Sequence, residues 1–291
     1  ELPEFAPAHS TAFWAEIGDE LAPGRPGLDV GISWTCEEAR SLALGDLLGV
    51  FRDLSPLYKL PFQPAATAGS VAAEALDHYE IPEATTRLTF VDGRYSAALS
   101  RIAADDGVTV ANLPDALASH GSLVEAGLGS LADAAQDVFA AVNTAFLHDG
   151  AVIHVGRNRA VAAPIHLLFV VTRKDCATYP RVLVVAEQGA GCTLVEEFVG
   201  VTEGSYFTDA VTEVAVAENA AVSHVRLQHE AQAAFHIGHT AVRVARGGRC
   251  VGGSGTGPGA CAAGAETARY SRSATLRCCR TGRPRRSGRS P

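Results

Sequence analysis

The chain has no methionine, only two lysines and two tryptophans in 291 residues, and aromatics make up just 7% of it. A core drawn from such a sequence is built from Ala, Val, Leu and Ile, and 47% hydrophobic residues is ample for one. No apolar run approaches the ~18 residues of a membrane span, and no basic segment followed by an apolar one opens the chain. Neither a transmembrane helix nor a secretory signal is expected, which leaves the cytoplasm as the default address. A GxxxxGK[ST] phosphate loop is missing, so ATP hydrolysis is not expected of this chain. Without Met at position 1, the start is expected to lie inside a longer gene product or after processing.

The seven cysteines form no CxxC pair. Cys36, Cys176 and Cys192 read as small buried hydrophobes or idle thiols, with Cys192 packing at a strand start. Charge is uneven. Up to Arg249 there are 16 basic and 31 acidic residues; Cys250 to Pro291 holds eight Arg, one Glu, four Cys, eight Gly and a single Leu and Val each. So little apolar surface cannot offset the entropy of ordering, and 249–291 is expected to be a disordered basic tail, read out of frame after a slip in GC-rich DNA. Its arginines attract phosphate nonspecifically, and Cys261, Cys278 and Cys279 offer thiols. Without aromatic interleaving or a histidine, neither a nucleic-acid site nor a zinc site follows.

Short runs of β-branched and apolar residues begin near 151, 165, 181, 192, 211, 222 and 237, separated by Gly, Pro, Asn or charged breaks. The mean step of about fourteen residues is too short for a crossover helix, which predicts an all-β unit. In PRVLVVAE, Val182 to Val185 load both faces, as a strand covered on both sides requires. In VSHVRLQ, Val225 and Leu227 share a face with Ser223 while His224, Arg226 and Gln228 point the other way, the pattern of a half-buried strand. Periodicity leaves sandwich and solenoid open.

NTAFLHDGAVIHV, PIHLLFVV, PRVLVVAE, YFTDAVTEVAVAENAAVSHVRLQ and AFHIGHTAVRV, preceded by DLSPLYKLPF and LTFVDGRYSAALS, form a collinear series from about Asp53 to Arg246. The series resembles the SufB/SufD family of SUF iron–sulfur cluster assembly subunits, and its SufD branch in particular. That resemblance implies a mainly β fold, a right-handed parallel β-helix preceded by a helical or mixed N-terminal region. It divides the chain into 1–145, a partial core at 146–248 and the tail. It further implies a non-catalytic scaffold, a complex with a SufB-like paralogue and a SufC-like ATPase, and a cluster carried transiently by that complex. The family pattern stops near Gly248, so the chain reads as truncated. The later core residues linked to nascent clusters and the helical segment that docks the ATPase have no matching positions here, and no catalytic or cofactor-binding residue is carried over.

Upstream of the core, Phe13, Trp14, Ile17 and Leu21, then Cys36 to Phe51, show helical spacing without a functional signal. Asp92-Gly93 between extended runs predicts a hairpin on a type I′ turn. A short strand at Val108 to Ala111 leads to a helix opened by Pro114. A second helix is predicted over Leu131 to Phe146, capped by Ser130 with Asp133 in its first turn, docking on the first coil and closing the open end.

His224, His229, His236 and His239 lie beside Glu230 and near Glu196, Glu197 and Glu213. On strands only even separations share a face, so His224 opposes His229, and His236 opposes His239. His224 and His236 alone can meet across coils and are the candidate metal ligands, against a plain reading as wall histidines. His148, His154 and His166 offer no better set. Two further classes stay open: a β-helix binding module without assembly chemistry, and a β-helix enzyme, either acyltransferase or lyase. Against the enzymes stand run spacings that fit no six-residue repeat and the lack of a clustered Asp or Arg set.

Overall fold

The structure, a computed structural model, describes residues 62–256 except 104, 105, 133 and 136, together with the backbone of 29–31, 261–270 and 275–280; of 254–256 too only the backbone is described. The helical runs expected before residue 52, and nearly all of DLSPLYKLPF, lie outside the described residues. The strands are β1 (Asp29–Gly31), β2 (Gln63–Pro64), β3 (Thr86–Val91), β4 (Arg94–Tyr95), β5 (Val108–Asn112), β6 (Ala151–Val155), β7 (Ile165–Val171) and β8 (Cys176–Thr178). There follow β9 (Arg181–Ala186), β10 (Gly191–Gly200), β11 (Phe207–Val216), β12 (Ala221–His229), β13 (Phe235–Val244), β14 (Arg249–Thr256), β15 (Cys261–Tyr270) and β16 (Thr275–Arg280). Among the described residues two α-helices, α1 (Leu113–Gly127) and α2 (Val138–Ala145), precede β6.

From β6 onward the strands alternate between two sheets, except that β8 and β9 both lie in sheet A. Sheet A runs β1-β15-β13-β11-β9-β6-β5, with β8 beside β11 and β2 beside β8, and sheet B runs β16-β14-β12-β10-β7-β3-β4. Nearly all of these pairings are parallel, so the chain winds as a two-walled β-solenoid. Val211 lies beside Arg181 and His239 beside Val211, 30 and 28 positions along the chain. Two of the fourteen-residue steps seen in the sequence thus make one coil, and coils of this length have no six-residue repeat.

Each coil turns a corner with one residue in the left-handed region: Asn158 (φ 57°), Gly189 (φ 69°), Asn219 (φ 56°) and Gly247 (φ 69°). Asn and Gly tolerate this backbone best. Their alternation has a packing cause. A Cβ on Gly189 would stand 2.3 Å from Asn158 Oδ1, and one on Gly247 would stand 2.3 Å from Asn219 Oδ1.

Parity decides what each wall presents. Val182, Val184, Leu194, Phe198, Val214 and Val216 point into the lumen with Ile153, Ile165, Leu167 and Phe169, and Phe90, Phe169 and Phe198 stack ring on ring along it. Leu183 and Val185 face outward beneath α1, where they meet Leu113, Ala116 and Val124. Val182 to Val185 are therefore covered on both sides, as the sequence predicts. The polar face of VSHVRLQ differs from expectation. His224 and Gln228 are buried on the lumen side, while Val225 and Leu227 take the partly exposed outer wall.

The Asp92-Gly93 hairpin forms with φ of 50° and 80°, pairing β3 with β4. Asp92 adds an anchor, accepting from Thr172 N and Oγ1 at 2.8 and 2.7 Å. Strand β3 itself lies parallel to β7, so it is the first rung of sheet B, and β5 caps sheet A antiparallel to β6. Pro114 opens α1 at its first turn, and the helix is broken at His120 (φ −137°, ψ 38°).

The second predicted helix begins later than expected. Asp137, not Ser130, is its cap, accepting Phe139 N and Ala140 N at 2.8 Å each. The N–H groups of Gly129, Leu131 and Ala132 instead go to the carboxylate of Glu213, at 2.8, 2.8 and 3.1 Å. Nor does α2 close the end of the solenoid. It lies on the outer face of sheet A, where Ala140 packs with Leu131, Ala132, Val211 and Ala241, and β5 supplies the end cap. Beyond Arg249, where composition predicts disorder, the backbone of β15 and β16 continues the two walls beside β13 and β14. The edges of β13 and β14 offer rows of N–H and C=O groups, and pairing with them needs no particular side chain.

Glu213 is 0% exposed and its partner Arg181 2%, with Arg181 Nη2 2.6 Å from Glu213 Oε1. Glu213→Ala strands a buried cation and three N–H groups, and urea unfolding should show a loss of about 3–5 kcal/mol. At the corner, Gly189→Ala should cost about 1–3 kcal/mol, and adding Asn158→Gly should recover part of it by removing the clash; additive losses in the double variant would refute the packing cause.

Candidate functional site

Between β10, β11, β12 and β13 the lumen changes from apolar to polar. Inward parity brings Glu196, Thr212, His224, Arg226 and Thr240 together, and Glu196 stands directly beside Arg226 in register. Glu196 is fully buried. Thr212 Oγ1 donates to its Oε1 at 2.6 Å, His224 Nε2 lies 3.1 Å from its Oε2, and Arg226 Nη2 is 3.5 Å from the same oxygen. Arg226 also donates to Thr240 Oγ1 at 2.9 Å and lies 6.0 Å from the centre of the Phe198 ring. Gly238 makes room for it: a Cβ there would come within 2.5 Å of Arg226 Nη1.

A second group continues toward the turn after β12. His236 Nδ1 is 2.8 Å from Glu230 Oε2, Gln228 Nε2 donates to that oxygen at 3.1 Å, and Thr208 Oγ1 donates to Oε1 at 3.4 Å. The His236 ring meets the Phe198 ring edge-on at 4.6 Å between centroids. The histidine–carboxylate contacts are close in distance without hydrogen-bond alignment, and His236 Nε2 has no partner. A void of about 10 Å³ bordered by Thr178, Thr208, Glu230, Phe169 and Phe198 adjoins this group, room for one water.

His224 and His236, the two candidates from the sequence, thus occupy one lumen and serve different carboxylates. Among the described residues no group of three or more His, Cys, Asp or Glu is placed to hold a metal ion. His229 and His239 lie on the faces opposite His224 and His236, as parity predicts. His166 Nε2 and His229 Nε2 flank Glu197 on the outer wall of sheet B at 2.9 and 3.3 Å, His239 faces Asp137 at 3.2 Å, and His154 faces Glu187 at 3.1 Å. Burial pushes the Cys192 thiol up to about 11, and burial together with Asp92 does the same to Cys176, so neither is a thiolate near neutrality. The side chains of Cys36, Cys261, Cys278 and Cys279 lie outside the described residues.

Sequence reasoning named the histidines and missed their framework. Glu196 and Arg226, thirty positions apart at equal parity, were the available signal, readable only once the coil length is known. The sequence also gave no sign of the second buried assembly, in which Arg181 Nη1 donates to Asn143 Oδ1 and Thr144 Oγ1 while Asn143 Nδ2 donates to the carbonyls of Pro180 and Asp209.

Burial alone would raise the Glu196 carboxyl; His224, Arg226 and the Thr212 hydrogen bond overturn that and hold it down at about 2. A depressed carboxyl contributes stability above its unfolded value near 4.5 that is lost as pH falls through the folded value. The stability difference between the natural chain and Glu196→Gln should therefore be about 3 kcal/mol above pH ~5 and vanish near pH ~2, as followed by urea unfolding across pH.

Comparison with known proteins places this geometry. Residues 52–167 match the family model described as SufBD protein N-terminal region, and 169–260 match the SUF system FeS cluster assembly, SufBD core domain. The chain is 32% identical over 204 residues to the iron–sulfur cluster assembly SufBD family protein slr0076 of Synechocystis, covering 66% of this chain and 45% of the relative. It is 37% identical over 115 residues to protein ABCI7, chloroplastic, of Arabidopsis thaliana, covering 37% and 24% respectively. With the iron–sulfur cluster assembly protein SufD of Escherichia coli it shares 28% identity over 188 residues, covering 61% and 40%. The chain spans less than half the length of each of these relatives. With the N-terminal and core models matched consecutively along a solenoid of this kind, the chain belongs to the SufBD family.

Proposed function

We propose that this chain serves in iron–sulfur cluster assembly as a non-catalytic scaffold subunit, working beside a SufB-like paralogue and a SufC-like ATPase in the cytoplasm. The observation that carries the reading is the SufBD match laid continuously over both walls of the solenoid. The physical character of the site supports it. The lumenal carboxylates Glu196 and Glu230 are held by donors from neighbouring strands, the two thiols with raised pKa stay protonated, and the walls are parallel sheets, properties that suit a frame. The cluster in this reading is cargo, held transiently by the complex. No helix among the described residues is long and apolar enough to cross a membrane.

The test is co-expression of the full chain with the SufB-like and SufC-like proteins of its own source, followed by affinity capture and gel filtration. Co-elution of all three in fixed ratio is expected. A folded chain that elutes alone, with both partners present and folded, would reduce the reading to a solenoid with some other partner.

A further inference from the structure

Helix α2 is fastened to sheet A by polar contacts at both ends. At its start Asp137 caps the helix with Oδ1, while its Oδ2 lies 3.2 Å from His239 Nδ1 on β13. Toward its end Asn143 donates to the backbone carbonyls of Pro180 and Asp209 at 3.0 and 2.7 Å. Asp209 itself shares outward parity with Val211 and Glu213 on β11, so its carboxyl group points into the α2 interface. That carboxyl is fully buried, and neither of its oxygens has a hydrogen-bond partner. The buried Nε2 of His239 has none either.

A carboxylate without solvent or donors is costly, and the groups facing this one do not relieve it. From α2 comes Asp137, a like charge. Arg181 of β9 is committed to Glu213, Asn143 and Thr144. His239 of β13 is turned toward Asp137, and Tyr179, just before β9, has its phenol pushed up first by burial and then by Asp209 itself. Burial first, then Asp137, raise the Asp209 carboxyl to about 8 against the pull of Arg181. In the docked state near neutrality this group is therefore the neutral acid.

We propose that Asp209 is the trigger of a proton-operated latch: loss of its proton drives α2 off sheet A and uncovers the apolar outer face formed by Val211, Ala215 and Ala241. The sign follows from linkage. The docked state binds a proton that the undocked, hydrated carboxyl releases, so between about pH 4 and pH 8 each unit of rising pH favours undocking about tenfold, and above about pH 8 the effect levels off. Helix α1 covers a different part of sheet A, beside Val152 and Leu183, and carries no comparable group in its interface, so it is an internal control.

Hydrogen exchange on the full chain at pH 6, 7 and 8, corrected for intrinsic rates, reads the latch directly. The opening constant of the Val138–Ala145 amides should rise about tenfold per pH unit, that of α1 should stay level, and Asp209→Asn should flatten the α2 response. A level α2 response in the natural chain, or the same slope in Asp209→Asn, overturns the latch. Should that variant not fold, the carboxyl carbon shift of Asp209 in the natural chain decides, because titration in the ordinary acid range overturns the proposal and titration near pH 8 supports it.

Discussion

The path of the chain from α1 to α2 over the solenoid depends on one buried ion pair, Arg181 with Glu213. Both side chains are on the outer wall of sheet A, on adjacent strands, and both are sealed from solvent. A bare pair at such a depth would be a poor bargain, because desolvation of two charges rivals their attraction. Here the remaining capacity of each group is taken up. Glu213 accepts three backbone N–H groups from Gly129 to Ala132, and Arg181 reaches Asn143 and Thr144 of α2. Those segments would otherwise cross the sheet as irregular backbone with unpaired donors. With the pair in place, the path from α1 to α2 is fixed, and so is the cover over the middle of sheet A.

The same arrangement explains what was readable in the sequence. Strand positions were legible because their causes are local: side-chain alternation, and corner residues such as Asn158 and Asn219 that accept a left-handed backbone. The Asp92-Gly93 hairpin and the start of α1 at Pro114 were legible for the same reason. The start of α2 was not. Ser130 and Asp133 are a plausible opening turn on local grounds, yet the neighbouring N–H groups are claimed by a carboxylate more than eighty positions away, and the helix starts at the next acceptor, Asp137.

The polar lumen was hidden for a different reason. Pattern reading assumes that the apolar face of a strand is the buried one, and β12 violates this: Val225 and Leu227 face the outer wall while His224, Arg226 and Gln228 fill the interior. The inversion is stable because solenoid coils stack in register, so an inward base on one rung meets an inward acid on the rung before it, as Arg226 meets Glu196. The partnership of the two histidines with separate carboxylates is likewise a consequence of coil length, which no single strand reveals.

Buried polar groups thus occur on both sides of the same walls, with opposite consequences. Inside, Glu196 has donors from two strands and a cation beside it, and its ionised form is favoured despite complete burial. Outside, under α2, Asp209 has no donor, and burial and Asp137 outweigh the pull of Arg181 and hold it neutral. A buried carboxylate with donors and a cation keeps its charge, whereas one without donors leaves its segment responsive to a change in charge. Glu196 therefore belongs to the fixed frame, and the cover over sheet A is where the proposed latch would act.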